Sequence, residues 1–293
     1  MLKFRIVNVF AIAGAPLSGN PLCVFEDGSG LDDATMQALA LQLNLSETTF
    51  LTAPGSCDIA TAGVRIFTPS YEMPFAGHPT LGSAHVLRAL GRAGDRLTLA
   101  MKAGVIPVSA VGDVWTLVAN PPRAGQPAAS RAELAAMLGL DPGDIGAAPR
   151  WVDTGSEQLI IPLTSAAAVR RAVCDPALLL RHGALRPERC LAQIFAPRDD
   201  DAGELEVRFF FLKGSSVVED PATGSACANL GGWYLLEGAA LPLRRVLHQG
   251  AAVGRPSRLE LEVGADRVIR VSGRVIALAT GEMPEFGPGA ASA

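Results

Sequence analysis

Short runs of apolar residues, broken by turn residues, dominate the first half of the chain and predict mainly β-strands there. One helical pattern interrupts them: Met36, Leu39, Ala40 and Leu43 follow the spacing of a buried helical stripe. This helix is predicted to open at Asp32 and Asp33 and to stop at Asn44. Strands are predicted at 3–10, 21–26, 48–51, 59–67, 96–101, 105–111 and 114–119.

A cluster of breakers at residues 120–127 is the predicted domain boundary. Ser130 and Glu133 then form a capping-box pattern that predicts a helix near 131–138. The domains are expected at 1–122 and 123–280, followed by a loose Gly-, Pro- and Ala-rich tail at 281–293. Further helices are predicted near 165–173 and 176–182, and strands near 158–163, 191–196, 205–212, 244–248, 258–263, 267–272 and 274–279.

Two segments, 72–78 and 219–225, share the pattern Glu-x-Pro-x-x-Gly-polar. Each follows a strand-like segment, 64–67 or 207–210, and leads into an apolar helix-like stretch. A strand that feeds such a turn into a helix exposes backbone N–H groups, which favour bound anions. The repeat therefore predicts two helix ends that together grip one carboxylate-bearing molecule between the halves.

The two stretches that follow the repeated turns are unusually apolar. Arg88 is the only clearly charged residue from 79 to 91, and none occurs from 221 to 236. A helix that is apolar on all sides must be enclosed by protein when it is outside a membrane. We therefore predict an α+β fold of two similar domains, each a curled, mostly antiparallel sheet around a central helix. The alternative is a chance repeat of two ordinary core helices.

The composition argues against several classes of protein, among them nucleic-acid-binding and membrane-spanning proteins. The 293 residues are 49% hydrophobic and 18% charged, with a net charge of −4, which indicates packed cores and no basic surface for nucleic acid. No uninterrupted apolar run reaches the roughly 20 residues of a membrane span. Asn8 interrupts the N-terminal apolar stretch, which favours a strand over a signal peptide. Five cysteines without a C-x-x-C pair favour reduced thiols in the cytoplasm, and the histidines show no metal-ligand spacing.

Glu47 and His78 are the first candidates for chemistry. Glu47 lies between a predicted helix and strand, where partial desolvation would raise its pKa and let it shuttle a proton at neutral pH. The alternative is a solvated junction glutamate. His78 begins a helix, where it could donate to a substrate oxygen or steer a proton; the alternative is a histidine that only caps the turn.

The second repeat supplies further candidates. Asp220 stands where the first repeat has Met73, so it is suited to orienting a substrate amine or hydroxyl, unless it merely caps the helix. Gly77 and Gly224 allow a ligand to approach the backbone closely. Ser225 could add a hydroxyl to the anion site or serve as an N-cap. Cys227 near the helix start is expected to have a lowered thiol pKa, but Thr80 occupies the matching place, which disfavours a two-thiol racemase.

Several segments resemble signature motifs of the PhzF-like isomerase family of phenazine biosynthesis. They are residues 44–50, 74–82 and 219–226, with 18–21, 248–250 and 254–257 in the same order. The resemblance spans nearly the whole chain. It implies a diaminopimelate-epimerase-like fold of two pseudo-symmetric domains with the site in the cleft between them. It also implies a cofactor-independent isomerase, usually a homodimer.

The resemblance also implies roles for individual residues. The named member of the family isomerises trans-2,3-dihydro-3-hydroxyanthranilate by moving a proton. Glu47 matches the general acid/base, whereas His78, Asp220 and Ser225 match residues that line the site. Gly77 and Gly224 match the helix starts that hold the carboxylate.

The resulting hypothesis is a proton relocation within a small carboxylate-bearing metabolite, with Glu47 as general acid/base. One rival is an amino-acid epimerase or racemase on the same fold, whose second base would be His78, Asp220 or Cys227. Another is a small-molecule-binding protein that performs no chemistry. No metal, nucleic acid or membrane partner is expected.

Overall fold

The computed structural model describes residues 1–186 and 189–286, and the chain divides into two compact units. The first comprises Met1–Leu117 and the C-terminal segment that begins at Ser272, and the second comprises Val118–Val271. Residues 272–280 were expected in the second domain, but the last strand pairs with the first strand of the chain, which brings them into the first unit. The expected tail is a strand as far as Met283, and residues 287–293 lie outside the described residues.

The first unit is built mainly of strands, with two helices. In chain order its elements are β1 (Leu2–Val9), β2 (Asn20–Phe25), α1 (Asp33–Leu43), β3 (Glu47–Thr52), β4 (Ala62–Phe67), β5 (Glu72–Met73), α2 (Gly77–Ala89), β6 (Arg96–Met101), β7 (Gly104–Val111) and β8 (Val114–Val118).

The second unit begins within the predicted boundary cluster. Its elements are β9 (Arg123–Gly125), α3 (Arg131–Met137), β10 (Arg150–Asp153), β11 (Gln158–Pro162), α4 (Ala166–Arg171), α5 (Pro176–His182), β12 (Ala184–Arg186), β13 (Arg189–Pro197), β14 (Glu204–Lys213), β15 (Ser216–Glu219), α6 (Gly224–Leu236), β16 (Leu243–Gln249) and β17 (Ser257–Val263). A long final strand, β18 (Ile269–Met283), runs from the second unit into the first. Short 3₁₀ turns occur at Pro142–Asp144 and Ala251–Val253.

The same series of strand pairings occurs in both units. In the first, β1–β2 is antiparallel, β2–β3 parallel, β3–β4 and β4–β5 antiparallel, β4–β6 parallel and β6–β7 antiparallel. In the second, β10–β11 is antiparallel, β11–β13 parallel, β13–β14 and β14–β15 antiparallel, β14–β16 parallel and β16–β17 antiparallel. The protein is thus a mixed α/β structure in which antiparallel pairs predominate.

The apolar helices α2 and α6 lie against these strands, as their composition predicted. α2 packs on β1, β2, β3, β4 and β6, whereas α6 packs on β10, β11 and β17. Each helix has a glycine where the sheet comes closest. A Cβ on Gly82 would lie 2.5 Å from a methyl group of Leu22, and one on Gly231 would lie 2.8 Å from Ile269. The glycines therefore let helix and sheet approach more closely than any side chain would allow.

The opposite faces of the strands are covered as well. In the first unit, α1 packs on β3 and β4 over a cluster that includes Phe25, Phe50 and Phe67. In the second, α4 and α5 pack on β13 and β14 over a cluster that includes Ile194 and Phe210. Among the described residues, no helix is long and apolar enough to cross a membrane.

Local signals for helix ends are confirmed. The Asp32 side chain accepts the Thr35 N–H at the start of α1, and Asn44 ends that helix in the left-handed conformation (φ 49°). Ser130 and Glu133 form the capping box of α3. The prediction of two strands at 267–272 and 274–279 is wrong, because Gly273 does not turn the chain. It sits inside β18, where a Cβ would meet the Phe10 ring at 2.2 Å.

Candidate functional site

The N-termini of α2 and α6 lack the side-chain caps that the other described α-helices have. Their N-cap positions are Ala76 and Thr223, whose side chains make no cap hydrogen bond, and neither first turn contains an acidic residue. The caps of α1, α3, α4 and α5 are Asp32, Ser130, Ser165 and Asp175, in that order. The two helices that follow the repeated turns therefore start with N–H groups and a positive dipole end suited to an anion.

In the first unit, Glu47 lies at the start of α2. It is the first residue of β3, which packs against that helix. Its Oε2 atom is 3.4 Å from Nε2 of His78, and the two side chains are only 15% and 5% exposed. Glu47 is thus mostly buried and faces a functional candidate, unlike a solvated junction residue.

The His78 ring is neutral, because burial lowers its pKa to about 3. Its Nδ1 atom is 3.5 Å from the Asn20 amide nitrogen. With the Asn20 amide in this orientation, its nitrogen donates to Nδ1, and the ring proton then lies on Nε2. The contact between the neutral His78 ring and Glu47 is not an ion pair.

His78 does not act as a helix cap. The N-cap position belongs to Ala76, and His78 lies inside the first turn of α2. Asn20 was not predicted as a site residue, although it belongs to the motif at 18–21. In that motif Gly19 has φ 86°, and a Cβ there would lie 2.6 Å from the Val9 carbonyl oxygen. Glycine at this position lets the chain turn so that Asn20 reaches His78.

In the second unit, a hydrogen-bond network holds Asp220 ahead of α6. The Thr223 hydroxyl donates to Asp220 Oδ2 at 2.5 Å. The Gln249 side chain donates to the Asp220 carbonyl (2.8 Å) and to Thr223 Oγ1 (3.0 Å), while its own oxygen accepts the Thr223 N–H (3.2 Å). Asp220 therefore does not cap the helix through its side chain. Gln249 belongs to the motif at 248–250, but its contacts with Asp220 and Thr223 depend on the tertiary structure.

Ser225 lies in the first turn of α6, directly after the buried Gly224. Its Oγ accepts from Gln158 Nε2 at 2.8 Å, and Gln158 Oε1 in turn accepts from Asn229 at 2.8 Å. Because the Ser225 oxygen accepts from the Gln158 amide, its O–H group is available to donate to an anion at the helix end. Thr223 holds the N-cap position, so Ser225 is not the N-cap.

The expected low pKa of Cys227 is wrong. The thiol is fully buried, and the loss of hydration raises its pKa. Cys23 is also buried, and its pKa is raised to about 12, consistent with a packing role. Within residues 1–186 and 189–286, no group of three or more His, Cys, Asp or Glu side chains is arranged to hold a metal ion.

The predicted site residues thus form two sets. The first unit brings together Glu47, Gly77 and His78, and the second brings together Asp220, Gly224 and Ser225. Each set is gathered at the start of an uncapped apolar helix.

Comparison with known proteins gives consistent matches over the chain. Residues 7–281 match the family model described as phenazine biosynthesis-like protein, PhzC-PhzF. An uncharacterized isomerase of Pasteurella multocida is 38% identical, with 96% of this chain and 93% of the relative covered. Trans-2,3-dihydro-3-hydroxyanthranilate isomerase of Pseudomonas aeruginosa is 34% identical, with 94% and 98% covered.

A solved structure agrees in fold. The PhzF-family protein of Bacillus anthracis superposes with a TM-score of 0.84 at 24% identity, and 97% of this chain and 99% of that one are covered.

Proposed function

The chain is an isomerase of the phenazine biosynthesis-like (PhzC-PhzF) family, and on this premise we propose that it relocates a proton within a small carboxylate-bearing metabolite. The observation that carries the proposal is the mostly buried Glu47 carboxylate, 3.4 Å from a neutral histidine at an uncapped helix start. No cofactor is part of the proposed mechanism.

Glu47 acts as the general acid/base. It takes a proton from a carbon next to an unsaturated or electron-withdrawing group and returns it elsewhere on the same molecule. The Nε2 atom of His78 lies 3.4 Å from Glu47 and supplies a second polar group beside the carboxylate. The N–H groups at the start of α2 bind the substrate carboxylate and stabilise the negative charge that develops on it.

Asp220 and Ser225 recognise the substrate. The Asp220 carboxylate, ordered by Thr223 and Gln249, orients an amine or hydroxyl, and Ser225 donates to an anionic group at the start of α6. The matching series of strand pairings and the repeated turn support two pseudo-symmetric domains, each with a sheet around a central helix. We further propose a homodimer, which light scattering of the purified protein tests.

Replacement of Glu47 tests this mechanism. We expect Glu47→Gln to lower kcat by about a thousandfold while substrate binding is retained, because the amide cannot take up a proton. The assay uses trans-2,3-dihydro-3-hydroxyanthranilate and a panel of cyclic and acyclic amino and hydroxy acids. In D₂O, the product of the unmodified enzyme should gain deuterium at the new C–H position to the extent that Glu47 exchanges with solvent.

Glu26→Gln is the matched control, because the Glu26 side chain in the same unit is also 15% exposed but pairs with Arg5. Wild-type turnover by Glu47→Gln would overturn the assignment of the base. Stereochemical analysis of the product separates the isomerase from an epimerase, since inversion at a single carbon identifies the epimerase. Binding of a panel acid without any turnover would identify a binding protein.

A further inference from the structure

An arginine–glutamate pair anchors the first repeated turn. Arg65 on β4 donates from Nε and Nη2 to the two carboxylate oxygens of Glu72, at 2.9 and 2.7 Å. Its guanidinium also lies 5.1 Å from the centre of the Phe67 ring. Arg65 and Glu72 are 25% and 12% exposed, so solvent screens this pair only in part.

The second repeated turn has the same anchor. Arg208 on β14 donates from Nε and Nη2 to one oxygen of Glu219, at 3.1 and 2.6 Å. The guanidinium lies 4.8 Å from the centre of the Phe210 ring. The exposed fractions of Arg208 and Glu219 are 15% and 7%, lower than in the first unit.

The two anchors share one strand register although their hairpins differ in length. Glu72 is paired with Phe67, and Glu219 is paired with Phe210. Four residues separate the first pair along the chain and eight separate the second. The arginine two residues before each phenylalanine is therefore the diagonal neighbour of the glutamate in both units. Retention of this arrangement across different hairpins indicates that the pair itself has a task.

That task follows from the alternation of side chains along a strand. Phe67 and Phe210 belong to the clusters covered by α1 and by α3–α5, so Arg65, Arg208 and their partners lie on the faces away from α2 and α6. The next residue then points the other way. Asp220 continues the ladder through its N–H, which donates to the Phe209 carbonyl at 3.0 Å. Because Arg208 holds Glu219 on the sheet face away from α6, the Asp220 side chain points to the face on which α6 lies.

Each arginine also ties the turn to a second helix. Arg65 Nη1 donates to Asp33 at the start of α1 at 2.7 Å. Arg208 Nη1 donates to the Ala172 carbonyl at 2.6 Å and to that of Val169 at 3.3 Å, at the end of α4. The turn that precedes each uncapped helix is therefore fixed to a helix on the far side of its sheet.

We propose that Arg65–Glu72 and Arg208–Glu219 are positioning pairs that set the orientation of the two repeated turns, and with them the helix starts of α2 and α6 and the Asp220 carboxylate. The inference deepens the proposed function, on which its catalytic consequence rests. The alternative is that these are ordinary stabilising ion pairs with no influence on the helix starts.

Two other arginines of the protein provide matched controls. Arg88, 24% exposed, pairs with Asp95 and lies 4.8 Å from the centre of the Trp115 ring, but it stands at the C-terminal end of α2. Arg150, also 24% exposed, pairs with Glu237 at the C-terminal end of α6. Each control has a carboxylate partner like that of the proposed positioning arginine but lies at the opposite end of the same helix.

The first measurement is amide hydrogen exchange by mass spectrometry, which needs no substrate. We compare Arg65→Lys with Arg88→Lys, and Arg208→Lys with Arg150→Lys. Lysine retains the charge but cannot reproduce the guanidinium fork. We expect exchange at 74–80 and 221–227 to accelerate by about tenfold in the Arg65 and Arg208 variants, respectively, and to be unchanged in the controls. Equal acceleration in a control variant, or none in the Arg65 and Arg208 variants, would overturn the proposal.

The second measurement is kinetic. With an acid that the enzyme turns over, Arg208→Lys should lower kcat/KM by about tenfold or more at unchanged melting temperature, because small misplacements of catalytic groups are costly. The exchanged pair Arg208→Glu/Glu219→Arg should regain part of the loss relative to Arg208→Glu alone. If Arg208→Lys and its control Arg150→Lys both lost kcat/KM only in proportion to their loss of stability, the role of Arg208 would be purely structural. If amide exchange changed as expected but the enzyme turned over no acid, the positioning role of the pairs would stand and the proposed function would be refuted.

Discussion

The helix starts of α2 and α6 share a scaffold but differ in their polar groups. Both follow an Arg–Glu-anchored turn, lack a side-chain cap and open with a buried glycine. At three matching places, the first unit has Met73, Ala76 and His78, and the second has Asp220, Thr223 and Ser225. The start of α2 has a mostly buried glutamate beside a neutral imidazole, whereas the start of α6 has a network of hydroxyl, amide and carboxylate groups.

This difference bears on whether the proposed reaction uses one base or two. A two-base epimerase needs comparable bases on opposite faces of one carbon. Here the matching position of His78 is a serine, and burial raises the pKa of the Cys227 thiol. The asymmetry supports assigning proton transfer to the first unit and recognition to the second.

After the replacement of Glu47, the largest effect expected within this comparison is that of removing the charge of Asp220. Asp220→Asn should lower kcat/KM by about a hundredfold, roughly 2.7 kcal/mol, because an oriented amine or hydroxyl loses its charged acceptor. The measurement is steady-state kinetics with the best acid from the panel. Asp266→Asn is the control, since Asp266 lies in the same unit and pairs with Arg270 at the surface. An Asp220→Asn enzyme with unchanged kinetics would refute the division of roles.

Acid titration of stability tests the neutral histidine of the first unit. The folded-state pKa of His78 is depressed to about 3, so the unfolded chain binds a proton that the folded protein excludes as pH falls below the ordinary value of 6.5. The contribution of His78 to stability is therefore complete above that value and is lost as pH falls toward 3, at up to about 1.4 kcal/mol per pH unit.

Urea unfolding of the wild type and of His78→Gln at pH values from 7 to 5 measures this slope. The variant should show a shallower decline, because it lacks the excluded proton. Identical slopes in both proteins would show that His78 binds its proton equally in the folded and unfolded states, which would refute the depressed pKa.

The smallest expected effect concerns Ser225. Ser225→Ala should raise KM several-fold, about 1 kcal/mol, with little change in kcat, because one hydrogen bond to the bound anion is lost. Ser165→Ala is the control for Ser225→Ala. That serine caps α4, so its loss should lower the free energy of unfolding by about 1 kcal/mol without changing KM. If both variants only lost stability, Ser225 would have no role in binding.

Much of the fold could be predicted because its signals are local. Asp32, Asn44 and the Ser130–Glu133 box mark helix ends through contacts within a few residues. The apolar composition of α2 and α6 likewise predicted helices enclosed by protein. Strands of two to four residues, such as β5 and β15, were not predicted, because their stability comes from β4 and β14 across the hairpin and not from a periodic pattern.

The site residues that could be predicted lie in the two repeated turns and in the motif at 44–50, which contains Glu47. The two turns supplied Gly77, His78, Asp220, Gly224 and Ser225 as neighbours in sequence. Asn20 and Gln249 reach those turns from distant strands, so their contacts depend on tertiary structure. The thiol of Cys227 was misjudged for a related reason: proximity to a helix end can be read from sequence, but complete desolvation cannot.

The return of β18 to the first unit has a consequence for biosynthesis. Val9 pairs with Val275, and Leu2 with Met283, so β1 lacks one of its two neighbouring strands until residues 275–283 have left the ribosome. The half of the protein that carries Glu47 is therefore the first to be started and the last to be finished. During translation its open strand edge is available for wrong pairing, so chaperone capture is expected at β1 rather than in the second unit, which is translated as one uninterrupted stretch.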